Sequence, residues 1–278
     1  MTENKFLYLY CFVPTSQLEA ESFPCLPGID GNSCYVKSYN ELTAVICDVN
    51  PCSFSEESLE AQLRDPEWLR SKGTHHHECI ERLYEKYTVL PVPFCTLFEN
   101  ETSLQEKLAA KSTQIAESLV YLHHKQEWNL RMFVNPSLLS TFVERESAAI
   151  GETRGELAKA SRGKQFFMEK QLKRIIAEES LQRISQAWGT LTQQLCELTS
   201  GEFIVRDNWP RELTGRSEDL VANSVFLIPI SLEDEFRKTV QVNEATLKTM
   251  GLTLDYSGPW PPYHFSAFSK GGQKWNGE

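Results

Sequence analysis

Three consecutive histidines, His75, His76 and His77, are the residues in this sequence best suited to binding a metal ion. Cys79 follows His75 by four positions, and side chains with that spacing share one face of a helix, so the pair could hold one ion. The three histidines, however, point in three directions on a helix, and a closed site needs further ligands that converge from elsewhere. The preferred interpretation is a solvated or partner-facing helix surface, with no metal bound.

The other reactive side chains do not combine into a catalytic constellation. Cys95 lies in the apolar stretch "PFCTLF", which is typical of an inert buried thiol. His123 and His124 are placed at a helix end, where a cationic imidazole suits the negative end of the helix dipole. No phosphate-binding glycine loop or nucleophile elbow is present in the sequence. We therefore expect no catalytic residue and no cofactor.

The first 125 residues contain the elements that must position these groups. Asn40 and Glu41 form a plausible tight turn between two of the strands. Ser53 or Ser55 is expected to cap a short helix, and Asp65 a longer one that runs from Pro66 to about Tyr87 and carries the histidines. Another helix is predicted from about Glu101 to His124 by its apolar stripe. The predicted strands are "FLYLYCFV", "CYVKSY" and "LTAVICDV". The apolar stretch "TVLPVPFCTLF", with two prolines, is either one buried strand with interrupted pairing or two short extended pieces. Residues 1–125 thus form an N-terminal α+β sheet domain.

The remaining elements predict a second domain over residues 126–265, followed by a flexible tail at 266–278. A long helical region from Pro136 to Thr199 is expected to break at its glycines, Gly151, Gly155 and Gly163, into a hairpin or kinked pair. Ser231 is expected to cap a last helix that Gly251 closes. The predicted strands are "WNLRMFV", "EFIVRD", "ANSVFLIPI" and "LTLDYSG". This order is that of a ferredoxin-like split βαβ unit with a long helical insertion.

Composition and charge disfavour two classes of partner. The formal net charge is -10 over 278 residues, which disfavours nucleic acid and anionic membranes because phosphate contacts need concentrated basic residues. No apolar run approaches the roughly 20 residues that a membrane helix requires. Eight cysteines at irregular spacing, without an export signal, are expected to be reduced thiols in a cytoplasm.

The stretch "SGPWPPYHF", which begins at Ser257, combines prolines with large aromatic side chains. A glycine is expected to let the chain leave the last strand, the prolines to fix an extended path, and the aromatic rings to anchor it. We interpret the motif as a structural latch that closes its own domain, in preference to a direct contact with a partner. Its residues are Gly258, Pro259, Trp260, Pro261, Pro262, Tyr263 and Phe265.

This motif, after a terminal strand, resembles the C-terminal signature of the gas vesicle GvpL/GvpF family. Four further stretches agree in order and spacing: "FLYLYCFVP", "HHHECIERLYEKYTVLPVPFCTLF", "EWNLRMFV" and "SVFLIPI". The sequence departs from the family at Pro93 and Cys95, where the family usually has arginine and glycine, and it does not distinguish the F branch from the L branch.

The resemblance implies two α+β domains, the second a modified ferredoxin-like fold, and no catalytic residues. It also implies a nonenzymatic minor component or assembly factor of gas vesicle formation in a prokaryotic cytoplasm. The implied partners are the very hydrophobic shell protein GvpA and other gas vesicle accessory proteins, with no nucleic acid and no lipid membrane. The alternative, prompted by the histidines and the fold, is a ligand- or metal-binding ferredoxin-like enzyme.

Overall fold

The chain divides into two compact units in the computed structural model, which describes residues 5–20, 23–199, 203–210 and 214–268. The first unit comprises Met1–Glu127 and Pro259–Glu278, and the second comprises Trp128–Gly258. The sequence-based boundaries had placed residues 259–265 with the second unit. They belong to the first because their side chains contact helix and strand residues of that unit. Of the tail expected at 266–278, residues 269–278 lie outside the described residues.

Strand β1 (Phe6–Pro14) lies at the centre of the first sheet, whose order is β2-β3-β1-β4 with β5 also paired to β1. It pairs antiparallel with β3 (Leu42–Val49), and the register shifts between Leu9 and Cys11. Strand β2 (Tyr35–Tyr39) joins β3 through the predicted turn, in which Asn40 has a φ of 57°. Asparagine is one of the few residues that tolerate this left-handed conformation, which the tight turn requires.

The interrupted apolar stretch at 88–98 forms two short strands, β4 (Leu90–Pro91) and β5 (Leu97–Phe98), both antiparallel to β1. Between them Cys95 has a φ of 62°, a left-handed conformation that breaks the extended path. Of the two predicted alternatives, the structure has the two short extended pieces and not one interrupted strand.

Helices surround this sheet. Both predicted N-caps are present, since the Ser55 side chain accepts a hydrogen bond from Ser58 and that of Asp65 accepts one from Glu67. The histidine helix ends at Tyr84 rather than Tyr87, whose ring is buried in the core. The helices of this unit are α1 (Thr15–Ala20), α2 (Glu56–Gln62), α3 (Pro66–Tyr84) and α4 (Glu101–Leu122).

The second sheet has the order β7-β8-β6-β9. In this order β8 separates β6 from β7, and β6 separates β8 from β9, which is how two interlocked βαβ units form one antiparallel sheet. The predicted α+β class and the split βαβ order are thus confirmed. The strands are β6 (Lys125–Val134), β7 (Phe203–Val205), β8 (Asp219–Pro229) and β9 (Leu252–Trp260). Glu202, in the predicted strand "EFIVRD", lies outside the described residues.

The helical insertion consists of three helices, so the expected hairpin or kinked pair was wrong. They are α5 (Pro136–Glu146), α6 (Ala148–Lys159) and α7 (Arg162–Thr199). The first break falls at Ser147, which ends α5 and caps α6 by accepting a hydrogen bond from the backbone N–H of Ile150. Gly151 and Gly155 lie inside α6 instead, because this serine cap starts a new helix before them.

The last helix, α8 (Glu233–Lys248), follows a 3-10 turn at Ile230–Leu232, so Ser231 is not its N-cap. Three acidic residues in the first turn of α8 stabilise the positive end of its dipole. Gly251 ends the helical segment with a φ of 75°, as predicted, and an added Cβ there would meet the Leu138 Cβ at 2.6 Å. Glycine is therefore required at this position for two separate reasons.

Candidate functional site

The three adjacent histidines of α3 face three different partners. The Nε2 atom of His75 lies 3.5 Å from the Cys79 Sγ atom. His76 is buried, with its Nδ1 atom 2.9 Å from the Tyr8 hydroxyl, and the Nδ1 atom of His77 lies 2.7 Å from the Tyr263 hydroxyl. Successive residues on a helix differ by about 100°, which is why the three rings diverge.

His76 serves as a packed aromatic ring rather than a ligand. It stacks on the Tyr10 ring with centroids 5.5 Å apart and planes at 18°. Burial lowers the pKa of His76 to about 4, so the imidazole is neutral at neutral pH. Across the part of the chain that the structure describes, no group of three histidine, cysteine or acidic side chains is arranged to hold a metal ion.

The other two sequence candidates lie in ordinary surroundings. Cys95 is buried, and burial raises the pKa of its thiol to about 12, which keeps it protonated and poorly nucleophilic. His123 ends α4, as its position predicts, and its Nδ1 atom lies 2.9 Å from the Thr88 hydroxyl.

The segment from Gly258 to Phe268, here called the terminal segment, is the most heavily anchored of the sequence candidates. Its path differs from the prediction at one point, because β9 does not end at Gly258 but continues to Trp260. Gly258 has a φ of 143°, which glycine adopts without strain, and Pro259 is tolerated because β9 is an edge strand. The chain passes from the second unit to the first at this glycine–proline pair.

Two aromatic residues of the terminal segment contact His77. The centroids of the Trp260 and Tyr263 rings lie 5.5 Å and 5.7 Å from that of the imidazole. Tyr263 also packs against the hydrophobic core of the first unit, and burial raises the pKa of its hydroxyl. Pro261 and Pro262 are buried beside it. Together these contacts hold the segment on α3.

The Glu127 carboxylate, which the sequence analysis did not identify, binds His264, the residue after Tyr263. Glu127 is only 2% exposed, and its two oxygens accept hydrogen bonds from the backbone N–H and the imidazole of His264, at 2.8 Å and 2.6 Å. A buried carboxylate is costly unless it is paired in this way. Glu127 opens "EWNLRMFV" and His264 lies inside "SGPWPPYHF", two of the stretches that carry the family resemblance, but neither stretch indicates that the two residues meet.

The anchoring extends beyond the predicted motif. The buried Ser266 hydroxyl donates to the carbonyl oxygen of Pro91 at 2.8 Å, and the Phe268 ring lies 6.2 Å from that of Phe12. Phe265, expected to be an anchor, is half-buried. The terminal segment therefore contacts α3, β6, β4 and β1 in turn.

A second surface, on α7, was not expected from the sequence. Phe166, Phe167 and Leu181 are 68%, 72% and 66% exposed. At about 100° per residue, the three project within roughly one third of the helix circumference. The two phenylalanine rings contact each other edge to face, with centroids 5.8 Å apart. The adjacent pair "FF" in a polar stretch of helix was the available signal. We call these three residues the α7 apolar face.

None of the helices in the described ranges, 5–20, 23–199, 203–210 and 214–268, is both long enough and apolar enough to cross a membrane.

Comparison with known proteins identifies relatives over almost the whole chain. The family model described as gas vesicle synthesis protein GvpL/GvpF matches residues 6–267. Gas vesicle protein L of Haloferax mediterranei is 24% identical over 250 residues, which are 86% of this chain and 72% of that protein. Gas vesicle protein L1 of Halobacterium salinarum is 22% identical over 261 residues, 93% of this chain and 89% of the relative.

Two crystal structures share the fold. Gas vesicle protein GvpF from Anabaena sp. PCC7120 superposes with a TM-score of 0.71 and 19% identity, covering 97% of this chain and all (100%) of that one. GvpF from Microcystis aeruginosa superposes with a TM-score of 0.64 and 19% identity, covering 94% and 98% of the two chains. At this identity the likeness concerns the fold, and the names of the relatives divide between the L and F branches.

Proposed function

Because this chain belongs to the GvpL/GvpF family of gas vesicle synthesis proteins, we propose that it acts in gas vesicle assembly by binding the hydrophobic shell protein GvpA. In this role it is a minor component of the vesicle or an assembly factor, working in the cytoplasm and at the growing vesicle. Its other partners are gas vesicle accessory proteins, and neither nucleic acid nor a lipid membrane is among them. No chemical reaction is required of it.

The observation that carries this proposal is the α7 apolar face. Single exposed apolar residues are common, but the adjacent Phe166 and Phe167 form an exposed aromatic pair that a partner can cover. Leu181 lies on the same side of the helix, about 21 Å further along its axis. Aromatic side chains also contribute most to binding where they are buried at the centre of an interface. The second unit thus offers an apolar contact surface on a long, regular helix.

The physical problem in assembly is to keep an apolar shell protein from aggregating before it joins the wall. Exposed apolar surface and unpaired strand edges aggregate unless they are covered. A carrier with a net charge of -10 remains soluble while its apolar face lies against an apolar helix of the shell protein. Full burial of a phenylalanine contributes about 1.5–3 kcal/mol, so two are sufficient to dominate a weak, reversible complex.

The proposal is tested by replacing both phenylalanines, Phe166→Ser and Phe167→Ser, in the full-length protein and measuring co-purification with GvpA. We expect binding at least tenfold weaker, because a loss of about 1.4 kcal/mol already gives that factor. Val120→Ser is the matched control, since Val120 is 78% exposed but lies in the first unit, on α4. Circular dichroism checks that each variant is folded.

The outcomes distinguish an error in the proposed contact surface from an error in the proposed partner. If the folded double variant binds GvpA as tightly as the wild type, the α7 apolar face is not the contact. If the wild-type protein neither binds GvpA nor is retained on isolated gas vesicles, the proposed function itself is wrong.

We further propose that the terminal segment is the latch that closes the first of two α+β domains. The hydrogen bonds of Tyr263 to His77 and of His264 to Glu127 support this role. Both pairs tie the end of the chain to residues more than one hundred positions earlier, with sequence separations of 186 and 137.

A further inference from the structure

Three buried cysteines from separate parts of the chain meet in the core of the first unit. Cys34 directly precedes β2, Cys47 lies in β3, and Cys79 lies in α3, and all three belong to one hydrophobic cluster. The β2–β3 register pairs Tyr35 with Ile46, so its continuation brings Cys34 opposite Cys47. We call these three residues the thiol cluster; the proposed binding role makes no use of it.

The sulfur atoms of the thiol cluster are close neighbours. The Sγ atoms of Cys34 and Cys79 lie 3.6 Å and 3.4 Å from one atom, the carbonyl oxygen of Pro27. Interaction with the Cys34 thiol lowers the pKa of Cys47 and of Cys79, and the same interaction raises the pKa of Cys34. Cys79 therefore loses its proton more readily than Cys34 does, and the thiolate is the reactive form of cysteine.

Cys79 is buried, only 4% exposed, but it is the member of the cluster that lines a surface cavity. The cavity has a volume of about 180 Å³, and its walls are Pro27, His75, Glu78, Cys79, Glu81 and Arg82. The Nε2 atom of His75 lies 3.5 Å from the Cys79 sulfur, and burial lowers the pKa of His75, so its neutral imidazole can accept the thiol proton. Cys47 is fully buried (0% exposed) and does not line the cavity.

We propose that Cys79 and Cys34 form a dithiol pair that hydrogen peroxide oxidises to an intramolecular disulfide. The Cys79 thiolate attacks one peroxide oxygen, the O–O bond breaks, and hydroxide leaves, which gives a sulfenic acid on Cys79. The Cys34 sulfur then attacks the sulfenic sulfur, the S–S bond forms, and water leaves. The two thiols lose two electrons and two protons, and one peroxide molecule becomes two water molecules.

The disulfide has a defined structural consequence. It joins the segment before β2 to α3, the helix whose His77 contacts Tyr263 of the terminal segment. Cross-linking two distant positions restricts the unfolded chain, so the oxidised first unit is expected to melt at a higher temperature than the reduced one.

The experiment is a disulfide map of the full-length protein. Purified, reduced protein is treated with hydrogen peroxide, its free thiols are blocked with iodoacetamide in denaturant, and the monomer is digested without reduction. Mass spectrometry is expected to find one linked peptide pair, Cys34 with Cys79, that disappears after dithiothreitol treatment. Cys34→Ala and Cys79→Ala should abolish it, whereas Cys95→Ala, at another buried thiol of the same core, should keep it.

The wild-type map decides the question even if a core alanine variant fails to fold. Oxidation confined to the exposed Cys25 and Cys52, with Cys34 and Cys79 both fully alkylated, would overturn the proposal. A disulfide between Cys34 and Cys47 would overturn the assignment of Cys79 as the reacting thiol. A zinc ion retained by the purified protein that prevents oxidation of these thiols would likewise refute it.

Discussion

Replacing Tyr263 with alanine should destabilise the first unit, because the ring packs against its core and the hydroxyl bonds to His77. Truncating a fully buried aromatic side chain costs about 3–5 kcal/mol, and Tyr263 is half-buried, so we expect roughly 2–3 kcal/mol. Tyr263→Phe removes only the 2.7 Å hydrogen bond, which contributes about 1 kcal/mol.

The assay is thermal unfolding followed by circular dichroism, together with vesicle formation by the same variants. For a unit of this size each kcal/mol shifts Tm by about 2–4 °C, so Tyr263→Ala should lower Tm by roughly 4–12 °C and Tyr263→Phe by about 2–4 °C. The matched control, Val120→Ala, truncates an exposed side chain of the same unit and should change the free energy of unfolding by less than about 0.5 kcal/mol.

The latch interpretation fails if Tyr263→Ala, or the companion variant Trp260→Ala, keeps the wild-type Tm but abolishes vesicle formation. That result would mean that the aromatic side chains contact a partner instead of stabilising their own unit. Lost stability with proportionately reduced vesicle formation is the result that the structure predicts.

Two further predictions concern the buried ionisable groups of the first unit. Glu127→Ala should lower the free energy of unfolding by about 3 kcal/mol or more, because it removes the carboxylate that accepts both hydrogen bonds from His264. Urea unfolding measures this loss. Glu127→Gln should lower the free energy of unfolding by less, because one acceptor oxygen remains. His76 should make the unit sensitive to acid, because its pKa falls from 6.5 in the unfolded chain to about 4 in the native state. Between these two pH values the unfolded chain binds a proton on His76 that the native state does not bind. The free energy of unfolding therefore has its full value above about pH 6.5 and decreases by roughly 3 kcal/mol as the pH falls to about 4. His76→Phe keeps an aromatic ring beside Tyr10 and should flatten the plot of unfolding free energy against pH between about pH 4 and 6.5. An unchanged slope in this variant would mean that His76 is not the source of the acid sensitivity.

Local pattern predicted the elements well where a single residue type fixes the backbone. Asp65 and Ser55 cap their helices as expected, since a short side-chain acceptor satisfies backbone donors two or three residues away. Gly251 ends its helix with a positive φ for the same local reason. The prediction failed at Gly151 and Gly155, because a glycine tolerates a break without requiring one, and the cap at Ser147 had already started the helix.

The candidate site was only partly predictable. The motif "SGPWPPYHF" and the histidine run were both visible in the sequence, but nothing in either stretch indicates that His77 bonds to Tyr263. The same holds for Glu127, because a glutamate in a strand is most simply a solvent-exposed charge. Its burial follows from where the terminal segment lies, which depends on contacts over 137 positions.

The sequence by itself determined most of the secondary structure, the α+β class and the family, because caps, periodicity and a rare proline–aromatic motif act over a few residues. Only the tertiary structure decided that the terminal segment contacts α3 and Glu127 and that the three cysteines of the thiol cluster meet. It also decided that the two phenylalanines of α7 remain exposed. Side-chain contacts between distant positions depend on how strands and helices pack, and local sequence patterns carry little information about that packing.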